Sequence, residues 1–191
     1  MASGNRGPSL SIYNDHPSSL KAKLADFLTL SRAVLGVVIL SLSLVGRDAY
    51  LTVVLLVILG GITDILDGRA ARRFLGGERE GRLGKHDLEI DTFFVLCALA
   101  YFSISGIIVP TAVGLGWIGL AVVAIAVYRG KPKILLIFEV PAILALIVSA
   151  GLYDLRVFLL IVLPALFAGT VINHKRIRYQ LFENFPRYFS Q

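Results

Sequence analysis

The stretch AYLTVVLLVILGGITDILDGRAAR, residues 49–72, decides what kind of fold this chain can adopt. Its first part, residues 49–62, is mostly apolar, and Asp64 and Asp67 follow directly. A spacing of three residues places both carboxylates on one face of a helix. The stretch therefore predicts an apolar helix that carries two acidic side chains near one end.

A second aspartate pair precedes the next apolar run. Asp87 and Asp91 are four residues apart, again on one helical face, and the apolar run continues over residues 92–109. Because consecutive helices joined by a short loop are antiparallel neighbours, we expect the two pairs to face each other at one depth. Four carboxylates that close repel unless a cation lies between them. Oxygen ligands without His or Cys favour Mg²⁺, Mn²⁺ or Ca²⁺ over zinc.

The composition predicts an integral membrane protein. The chain has 191 residues, of which 56% are hydrophobic, and its mean hydropathy is +0.76. A bilayer core of ~30 Å requires about 20 apolar residues in a helix, and six runs approach that length. They are Phe27–Val45, Ala49–Leu66, Thr92–Val109, Thr111–Tyr128, Ile134–Leu152 and Tyr153–Ile172. No run alternates with period two, so the predicted class is all-α with six transmembrane helices.

The distribution of Lys and Arg predicts the orientation. Only Arg47 and Arg156 fall in the loops after the first and fifth spans, and the loop after the third has none. The other loops and both ends are basic, which by the positive-inside rule places the termini and the aspartates on the cytoplasmic side. The net charge of +6 therefore implies no nucleic-acid partner.

These boundaries divide the chain into three segments. Residues 1–26 form a cytoplasmic N-terminal segment without a recognisable signal peptide, 27–173 a six-helix membrane catalytic domain, and 174–191 a basic cytoplasmic tail. Within the first segment, residues 18–27 have apolar residues at helical spacing with lysines between them. This pattern fits an amphipathic helix at the membrane interface and equally a plain linker.

The aspartates belong to a longer pattern. D-x-x-D-G-x-x-A-R, then a loop and D-x-x-x-D, resembles the signature of the CDP-alcohol phosphotransferase family, membrane enzymes that move a substituted phosphate from a CDP-linked donor to an alcohol and release CMP. The matching positions are Asp64, Asp67, Gly68, Ala71, Arg72, Asp87 and Asp91. One departure is that Leu83 stands where the family usually has a glycine, and Gly84 follows.

The resemblance implies a role for each matched residue. Asp64, Asp67, Asp87 and Asp91 would bind Mg²⁺ or Mn²⁺, and Asp91 would also be the base that takes the proton of the acceptor hydroxyl. The donor would lie against three further positions: Gly68 and Ala71 leave the helix face open, and Arg72 contacts phosphate.

Two other charged residues interrupt apolar runs. Arg32 lies near the cytoplasmic end of the first span, in Leu-Thr-Leu-Ser-Arg, where the family has a similar run. We expect it either to make a structural pairing inside the protein or to contact the donor. Glu139 lies in the fifth span, with Lys133 and Arg32 as expected partners and no catalytic role assigned.

The acceptor is indicated only by basic residues. Arg129, Lys131 and Lys133, between the fourth and fifth spans, are expected either to bind an acceptor phosphate or to anchor the topology. With CDP-diacylglycerol as donor, glycerol 3-phosphate is the first expectation for the acceptor. Inositol phosphate, inositol and serine are the alternatives. The resemblance also implies a homodimer among membrane lipids, in the cell inner membrane if the source is prokaryotic.

A different class of function stays open from the residues alone. A six-helix transporter could use the carboxylates as a cation site. That interpretation gives no reason for a glycine, an alanine and an arginine at fixed spacing after the first aspartate pair, and the chain has no broken-helix pattern in two related halves.

Overall fold

The structure is a computed structural model that describes residues 16–74, 87–128 and 131–179, with side chains described for 26–66, 88–128 and 131–172. Every regular element in this part is helical, which confirms the all-α prediction there. The elements are α1 (His16–Ser41), 3₁₀ turns Leu42–Leu44 and Gly46–Ala49, α2 (Tyr50–Phe74), α3 (Asp87–Ile104), α4 (Thr111–Tyr128), α5 (Pro132–Tyr153), α6 (Leu155–Val157), a π-helical turn Phe158–Val162 and α7 (Leu163–Tyr179).

Five stretches of the described chain are long and apolar enough to cross a membrane. They are Asp26–Leu44, Gly46–Leu66, Thr111–Tyr128, Pro132–Tyr153 and Leu155–Ile172. Many of their Leu, Ile and Val side chains point outward and are exposed, as expected where lipid is the solvent. The chain is therefore a multi-pass membrane protein.

The third predicted span, α3, differs from those five. Three of its 18 residues are acidic, Asp87, Glu89 and Asp91, so length and composition alone do not mark it as a span. Its residues 96–103 are all buried, because α3 contacts α1, α4 and α5. A helix that is apolar all round belongs inside a bundle. The total of six spans stays a prediction.

Small residues allow neighbouring helices to approach α3. A Cβ added at Gly36 of α1 would meet Phe93 Cε1 at 3.3 Å and Cys97 Sγ at 3.5 Å. A Cβ at Gly114 of α4 would overlap the side chain of Ser103. These close approaches fix the position of α1 and α4 against α3.

The end of α3 differs from the sequence expectation. The apolar run continues to Val109, but the helix ends at Ile104. Gly106 and Ile108 both have φ near +62°, which reverses the chain before Pro110. Arg47 stabilises this turn: its Nε donates to Ser105 O at 3.1 Å and its Nη2 to Gly106 O at 2.9 Å.

The last two predicted spans meet at a helix cap. The expectation of a sixth run from Tyr153 was two residues early, because α5 ends there, Asp154 breaks the helix and the next span begins at Leu155. The Asp154 carboxylate accepts from the backbone N–H groups of Arg156 and Val157, at 3.0 and 3.1 Å. It is therefore the N-cap of the next helix.

The first and last helices extend beyond the predicted membrane domain of residues 27–173. α1 runs without a break from His16, so residues 18–27 are helical and lead into the candidate span that begins at Asp26. α7 continues past the predicted boundary at 173 as far as Tyr179. Residues 1–15 and 180–191 lie outside the described part.

The helices alternate in direction, which defines two ends of the bundle. At one end, called the turn end here, Arg47 meets the turn after α3, and Tyr50 Oη donates to Ala150 O near the end of α5 at 3.3 Å. At the other, the aspartate end, α2 ends and α3 and α5 begin.

Candidate functional site

Arg32 is the centre of the polar cluster near the aspartate end. Its side chain is only 1% exposed although it lies in an apolar helix. Nη1 donates to Asp64 Oδ1 at 3.2 Å and also to Asp91 Oδ1. Nη2 donates to Thr29 Oγ1, one turn earlier on α1, at 3.4 Å. Of the two expectations for Arg32, the structure shows pairing with carboxylates.

Asp64 and Asp91 therefore come together from two helices. One guanidinium nitrogen contacts both, so their Oδ1 atoms lie close to each other. Their side chains are 35% and 23% exposed, so both carboxylates remain accessible. This confirms, for these two residues, that the aspartate pairs of α2 and α3 face each other.

A tight contact between α2 and a side chain of α3 lies one turn deeper than these aspartates. A Cβ added at Gly60 of α2 would lie 2.7 Å from Cε1 and 3.0 Å from Cε2 of Phe94 on α3. Gly60 is four residues before Asp64, and Phe94 is three residues after Asp91, so each shares a helix face with its aspartate. The missing side chain at Gly60 leaves room for the ring of Phe94 against the backbone of α2, one turn from the carboxylates.

The other matched positions are placed only by their backbone. Asp67, Gly68, Ala71 and Arg72 continue α2, which ends at Phe74. Their side chains lie outside the described residues. The same holds for the side chain of Asp87, the first residue of α3. Their expected roles stay predictions.

The three residues predicted to bind the acceptor are also only partly described. Arg129 lies outside the described residues. Lys131 is the N-cap of α5, Pro132 is its first residue, and Lys133 follows. Both lysine side chains are exposed at the aspartate end. Both lysines thus lie at the same end of the bundle as the aspartates, and their role toward the acceptor stays a prediction.

Glu139 joins the cluster from α5 by a contact that the sequence did not indicate. Its Oε2 lies 3.0 Å from Thr92 Oγ1, which donates to it. Thr92 is fully buried and directly follows Asp91, and its Oγ1 also lies 2.9 Å from Leu88 O, so its single proton is shared between the two acceptors. Arg32 is a charged neighbour of Glu139, as expected, and so is Asp64. A threonine at the start of an apolar run, beside an aspartate, was the available signal.

The donor set can be tested for its fit to a divalent metal. Within residues whose side chains the structure describes, no group of three or more His, Cys, Asp or Glu could hold a metal ion. Two of the four expected ligands, Asp67 and Asp87, lie outside that set. The two that are described converge on one point and offer only carboxylate oxygens, which hard cations such as Mg²⁺ and Mn²⁺ prefer. The chemistry of these two ligands is compatible with Mg²⁺ or Mn²⁺, and the metal stays a prediction.

Ionisable side chains inside a membrane bundle cost free energy, so their presence in the polar cluster calls for a functional reason. Arg32, Asp64, Asp91 and Glu139 place four ionisable side chains from four helices inside a membrane bundle. A charged group costs about 2.5–3.5 kcal/mol at the bilayer centre on insertion scales, and less near a helix end that headgroup water reaches. Intramembrane ionisable groups that pair with one another usually mark a substrate or ion site. The fold and the cluster define a multi-pass membrane protein with a carboxylate-rich site near one end.

The family follows from sequence comparison. A model of the CDP-alcohol phosphatidyltransferase family matches residues 22–172, most of the chain. The chain belongs to this family, whose members transfer a phosphatidyl group from a CDP-alcohol to an alcohol. Membership supports the transferase interpretation over the cation transporter. No curated protein matches the chain, and no solved structure does.

Proposed function

We propose that the protein transfers the phosphatidyl group of CDP-diacylglycerol to a small alcohol, glycerol 3-phosphate first, and releases CMP. The observation that carries the proposal is the convergence of Asp64 and Asp91 on Arg32 in a cluster embedded among apolar helices. A lipid donor and a water-soluble product both need such a place, polar inside and bordered by lipid.

The aspartates are the metal ligands in this proposal. Asp64, Asp67, Asp87 and Asp91 hold Mg²⁺ or Mn²⁺. The metal supplies charge neutralisation for the diphosphate of the donor. Arg32 of α1 holds Asp64 and Asp91 together before substrate binds, so these ligands of α2 and α3 are arranged in advance.

The donor lies along the end of α2. Gly68 and Ala71 are two small residues within one turn of helix, and a nucleotide can approach the backbone there. Arg72 adds a charge-assisted bond to a phosphate oxygen. The diacylglycerol tails extend into the lipid beside the exposed apolar faces of the bundle.

The transfer itself needs one base. The carboxylate of Asp91 takes the proton of the acceptor hydroxyl. The hydroxyl oxygen forms a bond to the phosphorus of the phosphatidyl group. The bond from this phosphorus to the bridging oxygen breaks, its electron pair stays on that oxygen, and CMP leaves. The partial exposure of Asp91 supports this role, because a base must reach the substrate.

The acceptor binds from the start of α5. Arg129, Lys131 and Lys133 contact its phosphate. Support comes from α5 itself, because its Glu139 contacts Thr92, the neighbour of Asp91. The same helix thus links the exposed lysines to the base. The chemistry is the same with inositol phosphate, inositol or serine, which stay alternative acceptors.

The membrane arrangement completes the proposal. The protein has six spans with both termini and the site on the cytoplasmic side, where CMP is released, and it forms a homodimer. Among the Lys and Arg of the described residues, only Arg47 and Arg156 lie at the turn end. This supports the proposed orientation.

The test is CMP release by the purified protein in lipid nanodiscs. CDP-diacylglycerol and Mg²⁺ or Mn²⁺ are supplied, and glycerol 3-phosphate, inositol phosphate, inositol and serine are compared. EDTA should abolish release and added metal should restore it. Asp64→Asn should be inactive, whereas Asp48→Asn is the matched control because Asp48 is exposed at the turn end. No CMP with any alcohol, or full activity in EDTA, would contradict the proposal.

A further inference from the structure

We infer that Arg32 is a positioning residue that sets the metal affinity of the aspartate site by holding the carboxylates of Asp64 and Asp91 together. This inference rests on the proposed function, because it concerns the metal of that reaction. It assigns to α1 a part in the site, although the aspartate pattern lies wholly on α2 and α3.

The first argument is geometric. One nitrogen, Arg32 Nη1, contacts Oδ1 of both aspartates. An ionised carboxylate can accept about four bonds through its two oxygens. A bond to Arg32 is therefore compatible with a metal bond from the same carboxylate. Metal-ligating carboxylates are commonly held by outer hydrogen bonds of this kind.

The second argument is that Arg32 is itself held firmly. Its side chain is 1% exposed, and Nη2 contacts Thr29 Oγ1 on the same face of α1. α1 packs against both α2 and α3. A guanidinium confined in this way fixes the separation of the two carboxylates, whereas a mobile surface arginine would not.

One effect opposes this role. A cation beside the carboxylates repels the metal, so removal of Arg32 could strengthen binding. Its positive charge is, however, already compensated by the carboxyl groups of Asp64, Asp91 and the neighbouring Glu139. Without Arg32, the two aspartates repel each other and lose their shared donor. We therefore expect the loss of positioning to outweigh the loss of repulsion. Removal of outer-shell partners typically lowers metal affinity about 10–100-fold.

The experiment measures metal binding separately from turnover. The purified full-length protein in nanodiscs, without substrate, is titrated with Mn²⁺, and the midpoint of the rise in Tm is recorded. Arg32→Gln should raise that Mn²⁺ midpoint about 10–100-fold. Arg32→Lys should raise it less, because the shorter lysine keeps the charge but not the planar fork. The Mn²⁺ midpoint for CMP release should move in the same direction, with activity regained at high Mn²⁺.

Arg47→Gln is the matched control. Arg47 makes two bonds to backbone carbonyls at the turn end, so its loss should lower Tm and leave the Mn²⁺ midpoint unchanged. Should Arg32→Gln fail to fold, Arg32→Lys decides. An unchanged or lower Mn²⁺ midpoint in either folded Arg32 variant overturns the inference. A wild-type protein that releases CMP without metal, or releases none, contradicts the proposed function instead, before any variant is made.

Discussion

Replacing Gly60 with alanine should push α2 and the ring of Phe94 apart and so disturb both stability and activity. The added Cβ would lie 2.7 Å from Phe94 Cε1 and 3.0 Å from Cε2. Carbon atoms pack best at about 3.5–4.0 Å, so the ring or the helix must move by roughly 1 Å. Phe94 is only 7% exposed, and its Cα lies 3.5 Å from the position of a Cβ at Gly36. The ring is therefore buried, and the backbone that carries it lies close to α1.

The magnitude follows from two opposed terms. Alanine is favoured over glycine in a helix by up to about 1 kcal/mol. Overpacking a tight contact costs about 1–3 kcal/mol. Gly61 is the matched control, since a Cβ there meets nothing within 4 Å. Gly60→Ala should therefore be less stable than Gly61→Ala by about 1–3 kcal/mol, because only the overpacking term differs.

The assay is reversible unfolding by SDS in mixed micelles, with CMP release measured on the same preparations. Activity should fall in Gly60→Ala because Asp64 shares the face of Gly60 and moves away from Asp91 with it. Gly61→Ala should keep its activity. A second change, Phe94→Leu, should restore part of both properties in Gly60→Ala by making room. Equal stability and activity of the two alanine variants would refute the view that the Gly60 contact aligns the site.

Three further substitutions test the assigned roles. Asp91→Asn should reduce turnover by about 10²–10⁴-fold while donor binding survives better than in Asp64→Asn, and a near-normal rate would mean that another group takes the proton. Gly68→Leu should raise the donor KM in a folded protein, since leucine favours helix; an unchanged donor KM would show that the nucleotide does not cross this face. Lys133→Ala should raise the acceptor KM with little effect on the donor KM, and rising salt should weaken acceptor capture. If salt and this variant have no effect on a neutral acceptor, Lys133 is a topology anchor.

Much of the fold could be predicted from the sequence, because apolar length and punctuation are local properties. Five of the six predicted spans coincide with stretches able to cross a membrane. The errors fall at boundaries. The run that ends at Val109 is as apolar as a helix, yet the helix ends at Ile104 because Gly106 and Ile108 adopt positive φ and Arg47 binds their turn. That arginine is distant in sequence, so the run itself could not reveal it.

Part of the site was also predictable. The spacing of Asp64 and Asp67, and of Asp87 and Asp91, indicates two acidic helix faces without any knowledge of the fold. The prediction that those two faces lie opposite each other is confirmed for Asp64 and Asp91, which both contact Arg32. The bond between Thr92 and Glu139 did not follow, because periodicity along one helix does not identify the residue opposite it on another.

The sequence by itself determined the membrane class, the helices and the family, because each depends on residue types at short, regular spacing. Only the tertiary structure decided which partners Arg32 binds and which helix pairs lie close. Those choices depend on volume: Gly60 leaves space for the ring of Phe94, and the helices can then bring Asp64 within 3.2 Å of Arg32. Helix packing is set by the shapes of all the surfaces that meet, so it is a property of the assembled bundle.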